Sequence, residues 1–493
     1  ISAARLSLDT QGQRLSNAGG QIVSAAGAMQ IQSGDLANGT GLIQSADALT
    51  IIATTLNHAG TLYARRDARI AASGALANSG VIASGANVRI DAASFTGASG
   101  SLLAAGLDPD GHLGPSGDLT LNAAQSLTSA GQLLAGGDQR LRAARIDLGN
   151  SQIGGRSLSL TADTADLNLG GAVVSARQAL DLNTAQTLRT DQAQLSADQL
   201  HLTAHDLSNR QGEILQLGTG DLTVQLPGNL DNRDGRIAAN ARNLSLAAGT
   251  IETANGTLLH AGDGRFSLST ETFSGSGATL QSNGTLDLVA RALSLDHATT
   301  TAHALSLSAQ TFSHLGGALL QSGPGTAAIR ADVLDNTGGQ ITSNGSLDLS
   351  TGALVNRAGS IQAAAGALSL TAGDVDNTAG LIASTQAAHM HVASLNNTDG
   401  HLSSGGGFDL LATGPVTNLR GRIVSAADLN LSASRIDNTS GSLGAVGGDL
   451  SVVTTSGPLD NTSGRVEAAG LAHLLVQGLD NPAGLVTAGR IDL

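Results

Sequence analysis

The chain has 493 residues, among them 65 glycines, 7 prolines, one tyrosine and five phenylalanines, with no cysteine and no tryptophan. So few rings exclude a thick globular core, which needs aromatic volume to fill its centre, and the lack of cysteine excludes disulfides and thiolate-bound zinc. A formal charge of −14, from 39 acidic and 25 basic residues, disfavours nucleic acid and anionic membrane as partners, while 41% hydrophobic content is too high for a disordered linker.

The chain begins "ISAARLSLDT", with neither an initiator methionine nor a signal-peptide pattern, as a piece of a longer chain would. A repeat then opens at Leu15 and returns about every 21 residues until Leu479, which marks a solenoid whose units bury their apolar faces against their neighbours. Each unit reads roughly L-x-N-x-x-G-x-I-x-(A/S), a bend rich in Gly, Asn and Ser, then L-x-L-x-(A/T). Apolar residues two apart put alternate side chains on one face of a strand, and Asn and Gly suit positive-φ corners. No apolar run approaches the roughly twenty residues that span a bilayer.

The pattern predicts an all-β fold, a right-handed parallel β-helix of about 23 coils of roughly 20–21 residues, continuous over 1–493. At about 4.8 Å per coil it would run on the order of 110 Å. Variable coil lengths argue against the strict hexapeptide spacing of a left-handed β-helix, and the units lack the helix formers of leucine-rich repeats.

Along the chain, departures from the repeat mark candidate sites. The first is "LYARRDARI", Leu62 to Ile70: alternation turns Leu62 inward and Tyr63 outward, puts Arg65 and Arg66 at the bend, and points Arg69 out beside Ile70. Arg89 holds the same place beside Ile90, and Arg140 beside Leu141. Tyrosine and arginine are favoured in interface hot spots, so Tyr63, Arg65, Arg66, Arg69, Arg89 and Arg140 form a candidate partner-binding patch, with Asp67, Asp91 and Asp138 as counter-charges.

The second departure lies in the coil opened by Phe95, which "GLDPDGHLGPSGD" stretches to 32 residues. Pro109 and Pro115 forbid a ladder, so 106–118 should project as a loop, with Asp108, Asp110 and His112 as candidate contact residues. Clustered oxygens there suggest calcium only faintly, because the twelve-residue calcium pattern is missing. His201 with His205, and His389 with His391, are close pairs without a recognisable third ligand, so no metal or other cofactor is expected. Triplets such as Asn255-Gly256-Thr257 are generated by the repeat itself.

Five phenylalanines test the alignment. Phe95, Phe273 and Phe312 occupy the opening position and Phe266 and Phe408 the first Leu of L-x-L, all predicted inside. Asn336, Asn377, Asn438 and Asn461 fall at the third position, where asparagines can stack and bond along the ladder. The chain ends at "RIDL", the same point in the repeat as the opening "RLSL", with no polar cap at either end; coils are expected to continue on both sides.

The units "LDNTGGQITSNGSLDLS", "VDNTAGLIAS" and "IDNTSGSLGA" resemble the filamentous haemagglutinin repeats of two-partner secretion exoproteins, which include filamentous adhesins and contact-dependent growth inhibition effectors of the CdiA type. The resemblance extends over almost the whole chain. It implies a β-helical filament segment, exported through an outer-membrane secretion partner to the surface or surroundings of a Gram-negative bacterium. It also implies a receptor protein or glycan on a target cell as the partner, in adhesion or toxin delivery. No G-x-S-x-G elbow, P-loop or complete G-x-G-x-x-G occurs and the carboxylates are scattered, so an enzyme is not expected; a polysaccharide-active β-helix is the remote alternative.

Overall fold

The computed structural model describes residues 1–493 as strands and turns with no helix. Two compact units, Ile1–Gly249 and Thr250–Leu493, are each a stack of parallel β-coils. In the first unit Thr61–Ala64 lies in parallel register between Leu42–Ser45 and Val81–Ser84, so Leu62 stacks between Ile43 and Ile82, all three fully buried. In the second, Gln340–Ser343 lies between Ala318–Gln321 and Ser360–Ala363, stacking Ile341 between Leu319 and Ile361.

One coil has three runs. A four-residue strand such as Gln340–Ser343 is followed by a bend, and a longer strand such as Leu347–Val355 covers the L-x-L-x-T run and the next repeat opening. In several coils that longer strand is split, as in Leu429–Ala433 and Ile436–Asp437. Along Leu347–Thr351 alternate residues are buried, the period-two burial expected of strands with one face on a core, and Leu354 is buried again after a shift of phase. All five phenylalanines are buried where the alignment placed them. The core is narrow and aliphatic, and each large side chain taken from water contributes about 1.5–3 kcal/mol.

The third position of the repeat is a buried column of amides. From Asn336 to Asn481 each asparagine Nδ2 donates to the Oδ1 of the next, through Asn356, Asn377, Asn397, Asn418, Asn438 and Asn461, at 2.6–2.7 Å. The same Nδ2 also donates to the carbonyl three residues on, as Asn377 does to Gly380 at 3.1 Å. A shorter column, Asn17 to Asn38 at 2.8 Å and on to His58, stands in the first unit.

The corner after this column corrects the expectation about its residues. Positive φ falls on the residue before the glycine, and Ala358, Ala379, Asp399, Arg420, Ser440 and Ser463 adopt it at 50–56°. The glycine that follows is needed for space: a Cβ on Gly359 would sit 2.2 Å from the Asn336 carbonyl oxygen and 2.5 Å from Asn356 Oδ1. The repeat therefore keeps glycine where neighbouring coils approach, and tolerates alanine or serine in the left-handed conformation at modest cost.

Candidate contact surface

The inserted segment 106–118 is a short, internally braced hairpin. Leu107 and Leu113 form an isolated antiparallel bridge, and the Asp108 amide donates to the His112 carbonyl at 3.0 Å. Asp108 Oδ1 accepts the backbone amides of Asp110 at 3.0 Å and His112 at 2.8 Å, an Asx turn that Pro109 pre-sets. Gly117 closes the base with φ +109°, a conformation for glycine alone, and a Cβ there would meet the Gly106 nitrogen at 2.5 Å. Asp108, Asp110 and His112 are exposed, and Leu113 is 38% exposed. Among the described residues no group of three His, Asp or Glu side chains is placed to hold a metal ion, and the Asp108 carboxylate is engaged with its own turn.

Tyr63 departs from the expectation. It is half-buried rather than a free outward ring, and its hydroxyl donates to the Leu107 carbonyl at 3.2 Å. Burial, with the Asp108 charge added, pushes its phenol up from the ordinary value. The two departures read separately along the sequence are thus one structure, because the insertion folds back over the strand two coils behind it. No local pattern could reveal this, since the contact joins residues 44 apart.

Beside the hairpin, on the outward face of the L-x-L strands, register stacks Arg69 on Arg89, Arg89 on Thr120, and Thr120 on Arg140. Thr120 is an uncharged spacer between two of the arginines. Arg89 makes a two-pronged pair with Asp91, at 2.8 and 2.9 Å, and Asn122 donates to the same carboxylate at 2.9 Å. Partial burial pushes the Asp91 carboxyl up, but these bonds and the charges of Arg89 and Arg69 outweigh it and hold it below the usual range.

The other counter-charges are not where the sequence suggested. Asp138 pairs with Arg156 at 2.8 Å rather than with Arg140, and Asp67 accepts the Asn87 amides. Arg66 reaches Asp47 only at 3.7 Å. Among the described residues Arg65, Arg69 and Arg140 have no ion-pair partner within 4.0 Å, so their guanidinium groups face solvent.

Along the far edge of the same face runs a groove of about 580 Å³, floored by Ala53, Ala72 and Ala92 and walled by Ile52 and Asp91. A second depression, of about 390 Å³, shares Asp91 and Ala92 and ends at the Arg142–Asp163 pair. Hairpin, arginine column and groove therefore lie side by side on a chain whose net charge is negative.

All four paired histidines are exposed, and three of them contact carboxylates. His201 contacts Asp181 at 2.6 Å, His205 contacts Asp206 at 2.9 Å and His389 contacts Asp409 at 3.0 Å. Three other histidines are fully buried: His260 ends the short strand Thr257–His260, and His58 and His314 stand in the third-position column. The place of the last two was readable, since "LNH" and "FSH" align with "LDN" at the third position.

The haemagglutinin repeat family model matches residues 1–56, 44–108, 107–165, 153–225, 217–269, 261–323, 316–365, 363–414 and 411–463. Toxin CdiA of Yersinia pestis is 37% identical over 222 residues, 45% of this chain and 7% of that protein. Deoxyribonuclease CdiA of Dickeya dadantii (strain 3937) is 28% identical over 321 residues, 63% of this chain and 9% of that protein. The tRNA nuclease CdiA-2 of Burkholderia pseudomallei (strain 1026b) is 32% identical over 96 residues, 19% of this chain and 3% of that protein. The chain thus spans less than a tenth of the length of these relatives. No solved structure matches it. With the repeat, the corner and the parallel coils agreeing along the sequence, the chain belongs to the haemagglutinin-repeat family of filamentous, CdiA-type exoproteins, which are secreted to the surface of Gram-negative bacteria.

Proposed function

We propose that this chain is a filament segment of a secreted exoprotein and that the face carrying the 106–118 hairpin makes its contact with a target cell. The segment itself is structural and non-enzymatic; the toxin and nuclease activities in the relatives' names belong to those much longer proteins. The observation that supports a contact role is the joining of the insertion to the arginine face through Tyr63 and Leu107. A pre-organised hairpin loses little entropy on binding, and guanidinium groups without ion pairs are available to a partner's carboxylates, phosphates or carbonyls. The partner is a receptor protein or glycan on a bacterial or host cell, and export of the whole protein would use an outer-membrane secretion partner. A host-cell adhesin region is the second reading, favoured by the same face.

The test uses labelled 493-residue chain on Gram-negative bacteria and on epithelial cells, at two salt concentrations. Changing Tyr63, Arg65, Arg66 and Arg69 together to serine should reduce binding, most at low salt, while β-type circular dichroism is kept. A second variant replaces residues 108–116 with a short glycine turn. Binding to bacteria supports the growth-inhibition reading and binding to epithelial cells the adhesin reading. Binding unchanged in both variants, or absent from both cell types, overturns the contact role.

A further inference from the structure

The buried third-position column contains two histidines in place of asparagine, and the hydrogen-bond pattern fixes the state of each. Asn38 Oδ1 accepts from Asn17 Nδ2 at 2.8 Å, and Asn38 Nδ2 donates to the Gly41 carbonyl at 3.1 Å. The Asn38 amide group therefore presents N–H, not oxygen, to His58 Nδ1 at 3.0 Å. His58 Nδ1 must be the acceptor, and its proton sits on Nε2, donating to the Val81 carbonyl at 2.9 Å. A second proton would set donor against donor. Turning the Asn38 amide over to relieve this would break its bonds to both Asn17 and Gly41.

His314 has the opposite polarity. Asn336 Nδ2 is committed to Asn356 Oδ1 at 2.7 Å and to the Gly339 carbonyl at 3.2 Å, so Asn336 Oδ1 accepts from His314 Nδ1 at 2.7 Å. Nε2 of His314 is buried with no hydrogen-bond partner. Its surroundings include Gly317, where an added Cβ would lie 2.7 Å from that nitrogen, and the Phe312 ring, 5.5 Å away between centroids. A proton on Nε2 would be a buried donor without an acceptor.

We propose that His58 and His314 are acid-operated joints, at which mild acid loosens the stacking of their coils while the all-asparagine stretches stay closed. Burial holds both histidines below their ordinary pKa, against the raising effect of the Val81 and Gly60 backbone on His58, and of Asn336 and the Asp296 charge on His314. The groups bearing on His58 are uncharged. Asp296, which also feels His297, is the one charge acting on His314. With the folded pKa depressed, the unfolded state takes up the proton first. The stabilisation is therefore complete above about pH 6.5 and is lost as pH falls below it. A secreted filament meeting an acidified medium or compartment would open at these two points.

Hydrogen–deuterium exchange of the 493-residue chain at pH 7.5 and pH 5.0, corrected for intrinsic exchange, tests the proposal. Protection of segments 56–64 and 312–319 should fall by up to about thirty-fold at the lower pH, while 436–445, within the asparagine column, stays within about two-fold. His58→Asn and His314→Asn install the column's own residue and cannot take a proton; each should abolish the pH dependence at its own coil. If either is unprotected at pH 7.5, His→Gln at that position replaces it in the comparison. Equal loss of protection in all three segments overturns the proposal, as does pH dependence that persists in the variants.

Discussion

From Asn336 to Asn481 the third position is asparagine at every coil, and every amide in the series donates to its neighbour. From Gly97 to Leu169 the same position is Gly97, Ser129, Leu148 and Leu169, with both leucines fully buried and no amide relay. Backbone bonds hold both stretches in step: the Leu148 amide donates to the Asn168 carbonyl at 2.8 Å as the Asn377 amide donates to the Asn396 carbonyl at 2.7 Å. The column thus accepts an amide series, an apolar filling or a mixed one: Thr190 Oγ1 donates to Asn209 Oδ1 at 2.9 Å and both ring nitrogens of His58 are bonded, whereas His314 Nε2 has no partner. The stretch without a relay also carries the hairpin and Arg140, while Arg69 and Arg89 lie in the coils just before it.

The largest break in that comparison is Asn397→Asp. It buries a carboxylate facing Asn418 Oδ1, which now accepts at 2.7 Å, and should cost about 3–5 kcal/mol. Loss of amide protection in 395–425 checks it, and unchanged protection would remove the column from the account of stability. The irregular stretch holds the reverse case. Gln139 lies inside at the first L-x-L position, between Leu119 and Leu158, and neither of its amide atoms has a partner. Gln139→Leu should stabilise its coil by about 1–3 kcal/mol, read as slower exchange in 139–147.

Tyr63→Phe removes only the bond to Leu107 and should cost about 0.5–1.5 kcal/mol, seen as faster Asp-N cleavage at Asp108 and Asp110 with the coils intact. The remaining effect is electrostatic and confined to acid pH. Burial pushes the Asp231 carboxyl up, but Arg233 and Arg210 outweigh it and hold it at about 2. A depressed carboxylate contributes stability that is complete above about pH 4 and lost as pH falls towards 2. In Asp231→Asn that part of the acid limb should flatten, measured by exchange at 229–231 in a pH series; an unaltered limb would show that the arginines add nothing.

Much of the fold was legible because a solenoid is local. Each opening position from Leu15 to Leu479 could be found by the spacing of its apolar residues, and Phe95 or Phe408 inside the core follows from alternation alone. The roles of the corner residues were not legible. A sequence shows that glycine recurs at Gly359, but only neighbouring coils show that an Asn336 carbonyl oxygen occupies the place its Cβ would need. Charge pairing failed in the same way: Asp138 looked like a partner for nearby Arg140, yet pairs with Arg156 in the next coil.

The sequence by itself determined the period, the inward and outward faces, the column of asparagines and the site of the insertion. All of these depend on a residue and its near neighbours, and a period-two strand leaves no choice of face once one residue is inside. Only the tertiary structure decided that Tyr63 braces the hairpin, which arginines keep their charge free, and that His58 and His314 face their partners with opposite polarity. Those outcomes depend on side-chain bonds between coils some twenty or more residues apart, where the register of stacking sets the partner.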